Sequence, residues 1–141
     1  MPSPAAHTLT RRIQFADTDA AGVAHFSRLL VMVEEAEHDF LQSHKIPILT
    51  ETSAWPCVAL DVSYVGMCKF GDEIAIELRV LKVGTTSVTY EFLATRKGCP
   101  GSSRVFSGKM VKCHIMPTQS EAVPIPESIR KVFDHFLVQS L

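Results

Sequence analysis

Three features are missing from this sequence of 141 residues: long hydrophobic runs, an excess of charge of one sign, and cysteines at metal-binding spacing. No apolar run approaches the roughly 18 residues that a membrane-spanning helix needs. The 14 Lys and Arg residues nearly balance the 15 Asp and Glu residues, which leaves a formal net charge of -1. The charge expected of a protein that binds nucleic acid or an anionic membrane is therefore missing, and we expect neither partner.

The four cysteines, Cys57, Cys68, Cys99 and Cys113, form no CxxC pair, and none has a histidine at zinc-finger spacing. A structural metal site is therefore not expected. Residues 1–7 are a leader rich in Pro, Ser and Ala, which we expect to be loose and which lacks the basic and apolar segments of a secretory signal. The sequence thus predicts a cytoplasmic protein whose cysteines stay reduced.

Length and composition predict one globular domain over residues 1–141. A mass of 15.6 kDa lies in the range of single domains. Hydrophobic residues make up 46% of the chain and charged residues 21%, which is the balance of a folded protein and not of a disordered one.

One long amphipathic helix is predicted from about Phe26 to His44. Apolar residues recur there at helical spacing, with Leu29, Val33, Ala36 and Phe40 on one face and Leu30, Met32 and Leu41 beside them. Glu37 falls inside this apolar face. A buried carboxylate needs a partner, so we expect Glu37 to find one or to lie at a subunit boundary.

Alternation with a period of two residues predicts five strands, one before the helix and four after it. They cover residues 8–15, 58–64, 74–80, 88–94 and 105–115. In the first strand we expect Leu9, Ile13 and Phe15 to lie on one side. Residues 117–141 form a proline-containing tail with a short helix whose apolar residues are Ile129, Val132, Phe133 and Phe136.

The short connections between the later strands favour antiparallel pairing, so an antiparallel sheet should cover the long helix. Two architectures have this order of elements. One is the hotdog fold, in which the sheet wraps around a helix and pairs with a second subunit. The other is a cystatin-like binding module.

The segment between the first strand and the helix contains Asp17, Asp19, Gly22 and His25 within a few residues. This spacing places a carboxylate near the N-terminus of a helix, where unpaired backbone N–H groups converge. Such N–H groups can stabilise an oxyanion while the carboxylate acts as a base or nucleophile, which is an arrangement suited to hydrolysis. The alternative is that either aspartate only caps a turn or the helix.

The motif F-x-D-T-D-x-x-G-V, followed by His25-Phe26 and by Glu34-Glu35-Ala36, resembles the 4-hydroxybenzoyl-CoA thioesterase family. The resemblance continues through Pro56, Asp61-Val-Ser-Tyr64 and Phe70-Gly-Asp72, and covers roughly residues 8 to 116. It implies an α+β hotdog fold: an antiparallel five-stranded sheet around one long helix, with a short C-terminal helix. It also implies an acyl-CoA thioesterase without metal or other cofactor, assembled as a homodimer or homotetramer.

The resemblance also implies roles for particular residues. Asp19 matches the catalytic carboxylate, and the main-chain N–H of Phe26 matches the oxyanion donor. His25 would polarise the thioester, bind the acyl group or line the pocket. Glu34 would position a water or accept a hydrogen bond from the loop, and the alternative is that it is only a solvated surface acid. The substrate-binding positions are Asp17, which supports the loop, together with Gly22, Val23, Thr85, Thr86 and Ser87.

The motif does not identify the acyl group, because it is compatible with aromatic groups such as hydroxybenzoyl or dihydroxynaphthoyl and with short aliphatic groups. For the phosphates of CoA, the basic candidates are Lys69, Arg96, Lys97, Lys109 and Lys112. Two alternative functions use the same fold: a non-catalytic module that binds acyl-CoA, and a hydratase or dehydratase acting on enoyl thioesters.

Overall fold

The computed structural model describes residues 6–98 and 103–138. Cys99 and most of the predicted leader lie outside these residues. The elements are β1 (His7–Arg12), a 3-10 turn (Phe15–Asp17), α1 (Phe26–Ser43), β2 (Cys57–Tyr64), β3 (Glu73–Val83), β4 (Ser87–Arg96), β5 (Ser103–Cys113), β6 (Ile115–Met116), β7 (Glu121–Ala122) and α2 (Glu127–Phe136). None of the helices in the described ranges has the length and apolar character needed to cross a membrane.

The main sheet has five strands in the order β1-β3-β4-β5-β2, and every neighbouring pair is antiparallel. Helix α1 lies against β1 and β3, and α2 packs on β3. The predicted antiparallel five-stranded sheet, long helix and short C-terminal helix are therefore confirmed.

The core lies between the sheet and the apolar face of α1. Every second residue of β3 and β4 is buried from Ile74 to Val80 and from Val88 to Ala94, as the period of two predicts. Three aromatic rings meet at its centre, since Phe40 of α1 lies 6.3 Å from both Tyr90 and Phe133, measured between ring centroids. These large side chains fix the position of α1 on the sheet.

The end of the first strand was predicted wrongly. Strand β1 ends at Arg12, and Phe15 begins the 3-10 turn with its side chain 77% exposed. The backbone leaves the strand because the Gln14 N–H donates to Asp17 Oδ2 at 2.7 Å and the Asp17 N–H donates to the Gln14 carbonyl at 3.0 Å. These local bonds replace the next rung of the sheet.

The last strand begins and ends two residues earlier than predicted. Strand β5 ends at Cys113, and Ile115–Met116 pair instead with Glu121–Ala122 in a separate two-stranded sheet.

Strand β2 is one of the two edge strands of the main sheet, with β1 at the other edge, and is exposed along nearly its whole length. Val58 is 61% exposed and Leu60 is 48% exposed, although both belong to the alternating apolar set. Within the described chain β2 pairs only with β5. An exposed apolar edge strand is suited to pairing with another chain.

Candidate active site

The loop between the 3-10 turn and α1 (residues 18–25), which we call the active-site loop, is closed by backbone hydrogen bonds. Thr18 and Ala24 form an antiparallel bridge, and the Asp19 N–H donates to the Val23 carbonyl at 2.9 Å. The His25 N–H donates to the Asp17 carbonyl at 2.8 Å. The two arms of the loop therefore run side by side, and Asp19 lies at the same end of the molecule as the first turn of α1.

The Asp17 carboxylate holds the start of the loop to β1 and α1. It is 1% exposed, and its Oδ2 accepts hydrogen bonds from Arg11 Nη1 at 2.6 Å and from the Gln14 N–H at 2.7 Å. Its Oδ1 accepts from Arg28 Nη2 at 3.0 Å. Burial alone would raise the pKa of this carboxyl group, but the hydrogen bonds from Arg11, Gln14 and Arg28 hold the pKa below its ordinary value. This geometry supports the loop and leaves both oxygens occupied.

Asp19 is exposed, and only one of its two carboxylate oxygens accepts hydrogen bonds from the described residues. Its Oδ1 accepts hydrogen bonds from the Ala21 N–H at 2.8 Å and the Val23 N–H at 3.4 Å, so the aspartate does cap a turn. Gly22 has a φ of 82°, a left-handed conformation that favours glycine in this tight loop. Within residues 6–98 and 103–138, Asp19 Oδ2 accepts no hydrogen bond, so one oxygen stays available for chemistry.

The Phe26 N–H is the first of α1 and also stays available. Among the described residues it donates to no acceptor, whereas the Ser27 N–H donates to His25 Nδ1 at 3.2 Å and the Arg28 N–H donates to the His25 carbonyl at 2.9 Å. The Phe26 carbonyl accepts from the Tyr64 hydroxyl at 3.2 Å. Unpaired N–H groups at a helix N-terminus bind anions, because the helix dipole adds to their partial charges.

His25 is the N-cap of α1 through its ring. Because a backbone N–H can only donate, Nδ1 must be unprotonated when it accepts from Ser27, and the neutral ring then carries its proton on Nε2. The ring stacks on Phe26 with centroids 4.6 Å apart. The cap therefore leaves His25 as a hydrogen-bond donor beside the free N–H of Phe26.

Glu34 lies eight residues after Phe26 along α1, about 12 Å further along the axis. It is exposed and lines a cavity between α1 and strands β2 and β5. We call this the helix cavity. It has a volume of about 170 Å³ and is lined by Leu30, Val33, Glu34, Glu37, Cys57, Leu60, Met110 and Lys112.

Val23 forms a bridge with Lys69, which joins the active-site loop to the segment before β3. The structure thus brings together six of the predicted residues around one loop and helix end: Asp17, Asp19, Gly22, Val23, His25 and Phe26. Glu34 is not part of this group, because it lines the helix cavity further along α1.

Thr85, Thr86 and Ser87 lie at the other end of the sheet. Strand β3 runs from Glu73, beside the end of β1, to Val83, about 33 Å away at the usual rise per residue. Within one chain this turn is therefore too far from the active-site loop to contact it. The Thr85 and Thr86 carbonyls accept from the backbone N–H groups of Ile125 at 2.9 Å and His114 at 2.7 Å.

One positively charged side chain beside this turn was not predicted from the sequence. Arg130 of α2 donates through Nη2 to the Gly84 carbonyl at 2.6 Å. Its position depends on the docking of α2, and no local sequence signal indicated it.

Lys112 is excluded as a candidate for binding the phosphates of CoA. It is 5% exposed, and its Nζ donates to Glu37 Oε1 at 2.9 Å inside the core. Lys112 is thus the partner that Glu37 was expected to need. No cluster of three or more His, Cys, Asp or Glu side chains suited to a metal occurs in the described ranges.

Sequence reasoning also missed Arg11 and Arg28 as partners of Asp17. Arg11 lies on β1 and Arg28 on α1, and Arg11 Nε additionally donates to Glu35 Oε1 at 2.6 Å. A buried aspartate between two arginines in nearby elements could have suggested the pairing, but burial of Asp17 was not visible in the pattern.

Comparison with known proteins identifies related sequences. A family profile described as the thioesterase superfamily matches residues 21–100. A 1,4-dihydroxy-2-naphthoyl-CoA hydrolase of Rippkaea orientalis is 29% identical over 126 residues, covering 85% of this chain and 89% of that protein. A protein of the same name from Nostoc punctiforme is 34% identical over 90 residues, covering 60% of this chain and 61% of that protein.

Solved structures share the fold. A 1,4-dihydroxy-2-naphthoyl-CoA thioesterase from Synechocystis superimposes with a TM-score of 0.83 at 19% identity, over 92% of this chain and 96% of that chain. The dynemicin thioesterase superimposes with a TM-score of 0.86 at 15% identity, over 96% of this chain and 100% of that chain. At these identities the similarity is one of architecture.

Proposed function

This chain belongs to the thioesterase superfamily, and we propose that it hydrolyses an aromatic acyl-CoA thioester to the free acid and CoA, with Asp19 as the catalytic carboxylate. Membership confirms the predicted family, the hotdog fold and the enzyme class of thioester hydrolase. The cystatin-like alternative is excluded by the same finding. The observation that carries the site assignment is that Asp19 Oδ2 and the Phe26 N–H at the N-terminus of α1 both lack a hydrogen-bond partner among the described residues.

The proposed reaction begins with the thioester carbonyl oxygen accepting a hydrogen bond from the Phe26 N–H. Asp19 then either takes a proton from a water molecule that attacks the carbonyl carbon, or attacks that carbon itself to form an acyl-enzyme. The negative charge that forms on the carbonyl oxygen is stabilised by the N–H and by the helix dipole. Cleavage of the C–S bond releases the CoA thiolate, which takes up a proton. Hydrolysis of the acyl-enzyme completes the second route.

The active-site loop is suited to this reaction because its parts are already fixed. Asp17 holds the loop against β1 and α1, so Asp19 needs little reorganisation to meet a substrate. The His25 Nε2–H can donate a second hydrogen bond to the acyl group or the oxyanion. Glu34 lies further along α1, where it can position a water or the acyl group.

An aromatic acyl group is supported by two observations. The curated relatives are named as hydrolases of 1,4-dihydroxy-2-naphthoyl-CoA, a bicyclic aromatic thioester. The exposed side chains around the loop include Phe15, Phe26 and Phe70, and Phe15 and Phe70 lie 6.0 Å apart in an edge-to-face arrangement. Aromatic side chains favour aromatic ligands through stacking and edge contacts.

The proposed assembly is a homodimer or a higher homo-oligomer built on it. Strand β2 exposes apolar side chains along the sheet edge, and a second copy would cover them. The β3–β4 turn with Thr85, Thr86 and Ser87 lies about 33 Å from the loop of its own chain, so any contribution of these residues to CoA binding requires another subunit. Light scattering at micromolar protein should give at least twice 15.6 kDa. A fully active monomer would contradict this assembly.

The activity is tested by thiol release from a panel of CoA thioesters: 1,4-dihydroxy-2-naphthoyl-, 4-hydroxybenzoyl-, benzoyl-, acetyl- and crotonyl-CoA. We expect release from the aromatic thioesters, unchanged after treatment with EDTA and dialysis because carboxylate and helix N-terminus supply the base and the electrophile. Hydration of crotonyl-CoA without thiol release would identify a hydratase instead. Binding of all thioesters without turnover would identify a non-catalytic module.

A further inference from the structure

The proposed oxyanion donor belongs to the first residue of α1, where a helix has the least support from its own backbone. The Phe26 N–H donates to no acceptor among the described residues, and helix ends fray more readily than helix interiors. The N-cap acts one residue further along, because the His25 ring accepts from the Ser27 N–H. A donor that stabilises an oxyanion must already be in place when the reaction begins, so Phe26 needs another support.

Tyr64, the last residue of β2, supplies this support. Its hydroxyl donates to the Phe26 carbonyl at 3.2 Å, and its ring lies edge-to-face to the Phe26 ring with centroids 6.4 Å apart. The Phe26 carbonyl and N–H flank the same Cα atom, and the peptide groups on either side are planar. A bond that holds the carbonyl therefore also restricts the rotations that would move the N–H.

Tyr64 is itself held in place by the neighbouring strand. It pairs with Phe106 of β5, which is fully buried, and the two rings lie 6.0 Å apart. Directly after Tyr64, the N–H groups of Val65 and Gly66 both donate to the Val105 carbonyl, at 2.9 and 3.0 Å. A Cβ atom at Gly66 would collide with a carbonyl oxygen of β5, so this close approach of the two chains requires glycine. The end of β2 is thus a rigid point of attachment for the start of α1.

We propose that Tyr64 is a positioning residue for thioester hydrolysis, whose hydroxyl holds the Phe26 carbonyl and thereby keeps the Phe26 N–H in place for the oxyanion. This inference rests on the proposed thioesterase function. Tyr64 acts through Phe26 and does not touch the reacting atoms. Because every thioester develops the same negative charge on its carbonyl oxygen, the contribution of Tyr64 is independent of the acyl group.

The alternative role for Tyr64 is direct contact with the acyl group, since its side chain is 42% exposed. A tyrosine hydroxyl has one hydrogen to donate, and in this structure that hydrogen is directed to the Phe26 carbonyl. The geometry therefore favours positioning of the helix over donation to a substrate. The two roles differ in kinetics, because acyl binding would change KM and would depend on the acyl group.

The test uses Tyr64→Phe, which removes the hydroxyl and keeps the ring. Tyr90→Phe is the matched control, because it makes the same change at the second tyrosine of the chain, whose buried hydroxyl has no partner among the described residues. A third protein carries 4-aminophenylalanine in place of Tyr64, which restores a donor at the same position. Thiol release from 4-hydroxybenzoyl-, benzoyl- and acetyl-CoA gives kcat and KM, and thermal unfolding compares the stabilities.

We expect Tyr64→Phe to lower kcat by about three- to tenfold, the range that corresponds to one neutral hydrogen bond. The factor should be the same for each thioester that the wild type hydrolyses, with KM unchanged, because the lost interaction serves the transition state. The melting temperature should change little, since the bond lies at an exposed position. Tyr90→Phe should keep the wild-type kcat, and 4-aminophenylalanine at position 64 should recover part of the loss.

Unchanged kcat in Tyr64→Phe would overturn the inference. A loss confined to KM or to one acyl group would also overturn it and would assign Tyr64 to acyl binding. An equal loss of kcat in Tyr90→Phe, or no recovery with 4-aminophenylalanine, would count against a specific bond to Phe26. Failure of the proposed function gives a different result, in which the wild type releases no thiol from any of the thioesters.

Discussion

Asp17 and Glu37 are two buried carboxylates on the same chain, each 1% exposed, yet their surroundings differ. Asp17 lies at the start of the active-site loop, where two arginines and a backbone N–H occupy both of its oxygens. Glu37 lies on the apolar face of α1 and has one lysine on one oxygen, while the other oxygen has no partner among the described residues.

The difference changes the sign of the pKa shift. Burial acts on both groups in the same direction, by disfavouring the charged form. For Asp17 the hydrogen bonds outweigh burial and the pKa is lowered, whereas for Glu37 burial outweighs the attraction of Lys112 and the pKa is raised. A fully paired carboxylate is an anchor, and a half-paired one retains the capacity to bind something else.

The largest effect is expected at the carboxylate that is neither buried nor fully paired. Asp19→Asn should lower kcat by about 10²–10⁴, the usual contribution of a positioned acid–base group, without changing stability. Steady-state thiol release and thermal unfolding measure the two quantities. Near-normal turnover would remove Asp19 from the mechanism and leave the turn-capping role as its only one.

Asp17→Asn should instead reduce stability, by about 2–3 kcal/mol at pH 7, because two arginines lose a charged acceptor. The lowered pKa of Asp17 means that its stabilisation is present above the ordinary value of 3.8 and is lost as the pH falls through the folded-state pKa. Urea unfolding at pH 7 and pH 3 should therefore show a smaller difference between wild type and variant at the lower pH. A larger loss of kcat than in Asp19→Asn would mean that the roles of the pair are reversed.

Glu37→Gln should show the opposite dependence on pH and a smaller change. The raised pKa means that the stabilising contribution of Glu37 is present below the ordinary value of 4.5 and is lost as the pH rises through the folded-state pKa. Relative to wild type, the variant should gain stability as the pH increases from 4 to 8, which urea unfolding at several pH values measures. A constant difference over this range would show that Glu37 does not titrate differently in the folded and unfolded states.

The smallest effect is expected at His25, where capping of α1 can be separated from hydrogen-bond donation to the substrate. His25→Ala should cost about 1 kcal/mol of stability through loss of the N-cap, whereas His25→Asn retains a good cap. If the Nε2–H donates to the substrate, both variants should lose about tenfold in kcat/KM, which is the value of one hydrogen bond. Full activity of the Asn variant would leave His25 with the capping role alone.

Much of the site was predictable because its signals are local. The helix from Phe26, the alternation of β3 and β4, and the placement of Asp19 near a helix N-terminus all follow from residues within a few positions of one another. The need of Glu37 for a partner was also predictable, since it interrupts an apolar face.

The identity of that partner was not predictable. Lys112 is 75 residues away and belongs to an alternating strand in which nothing distinguishes it from exposed lysines. The same limitation applies to Phe15, which leaves the strand because Asp17 captures the Gln14 N–H, and to Val58 and Leu60, whose pattern is that of a half-buried strand although they lie on an edge.

The sequence by itself determined the elements and the chemical groups at the loop, because helix and strand periodicity and turn formation depend on near neighbours. Only the tertiary structure decided which carboxylate is anchored and which is half-paired, and that Thr85–Ser87 lie away from Asp19 in the same chain. Those properties depend on which distant elements meet across the core. Burial and pairing act through space, between residues whose separation along the chain carries no information about their distance.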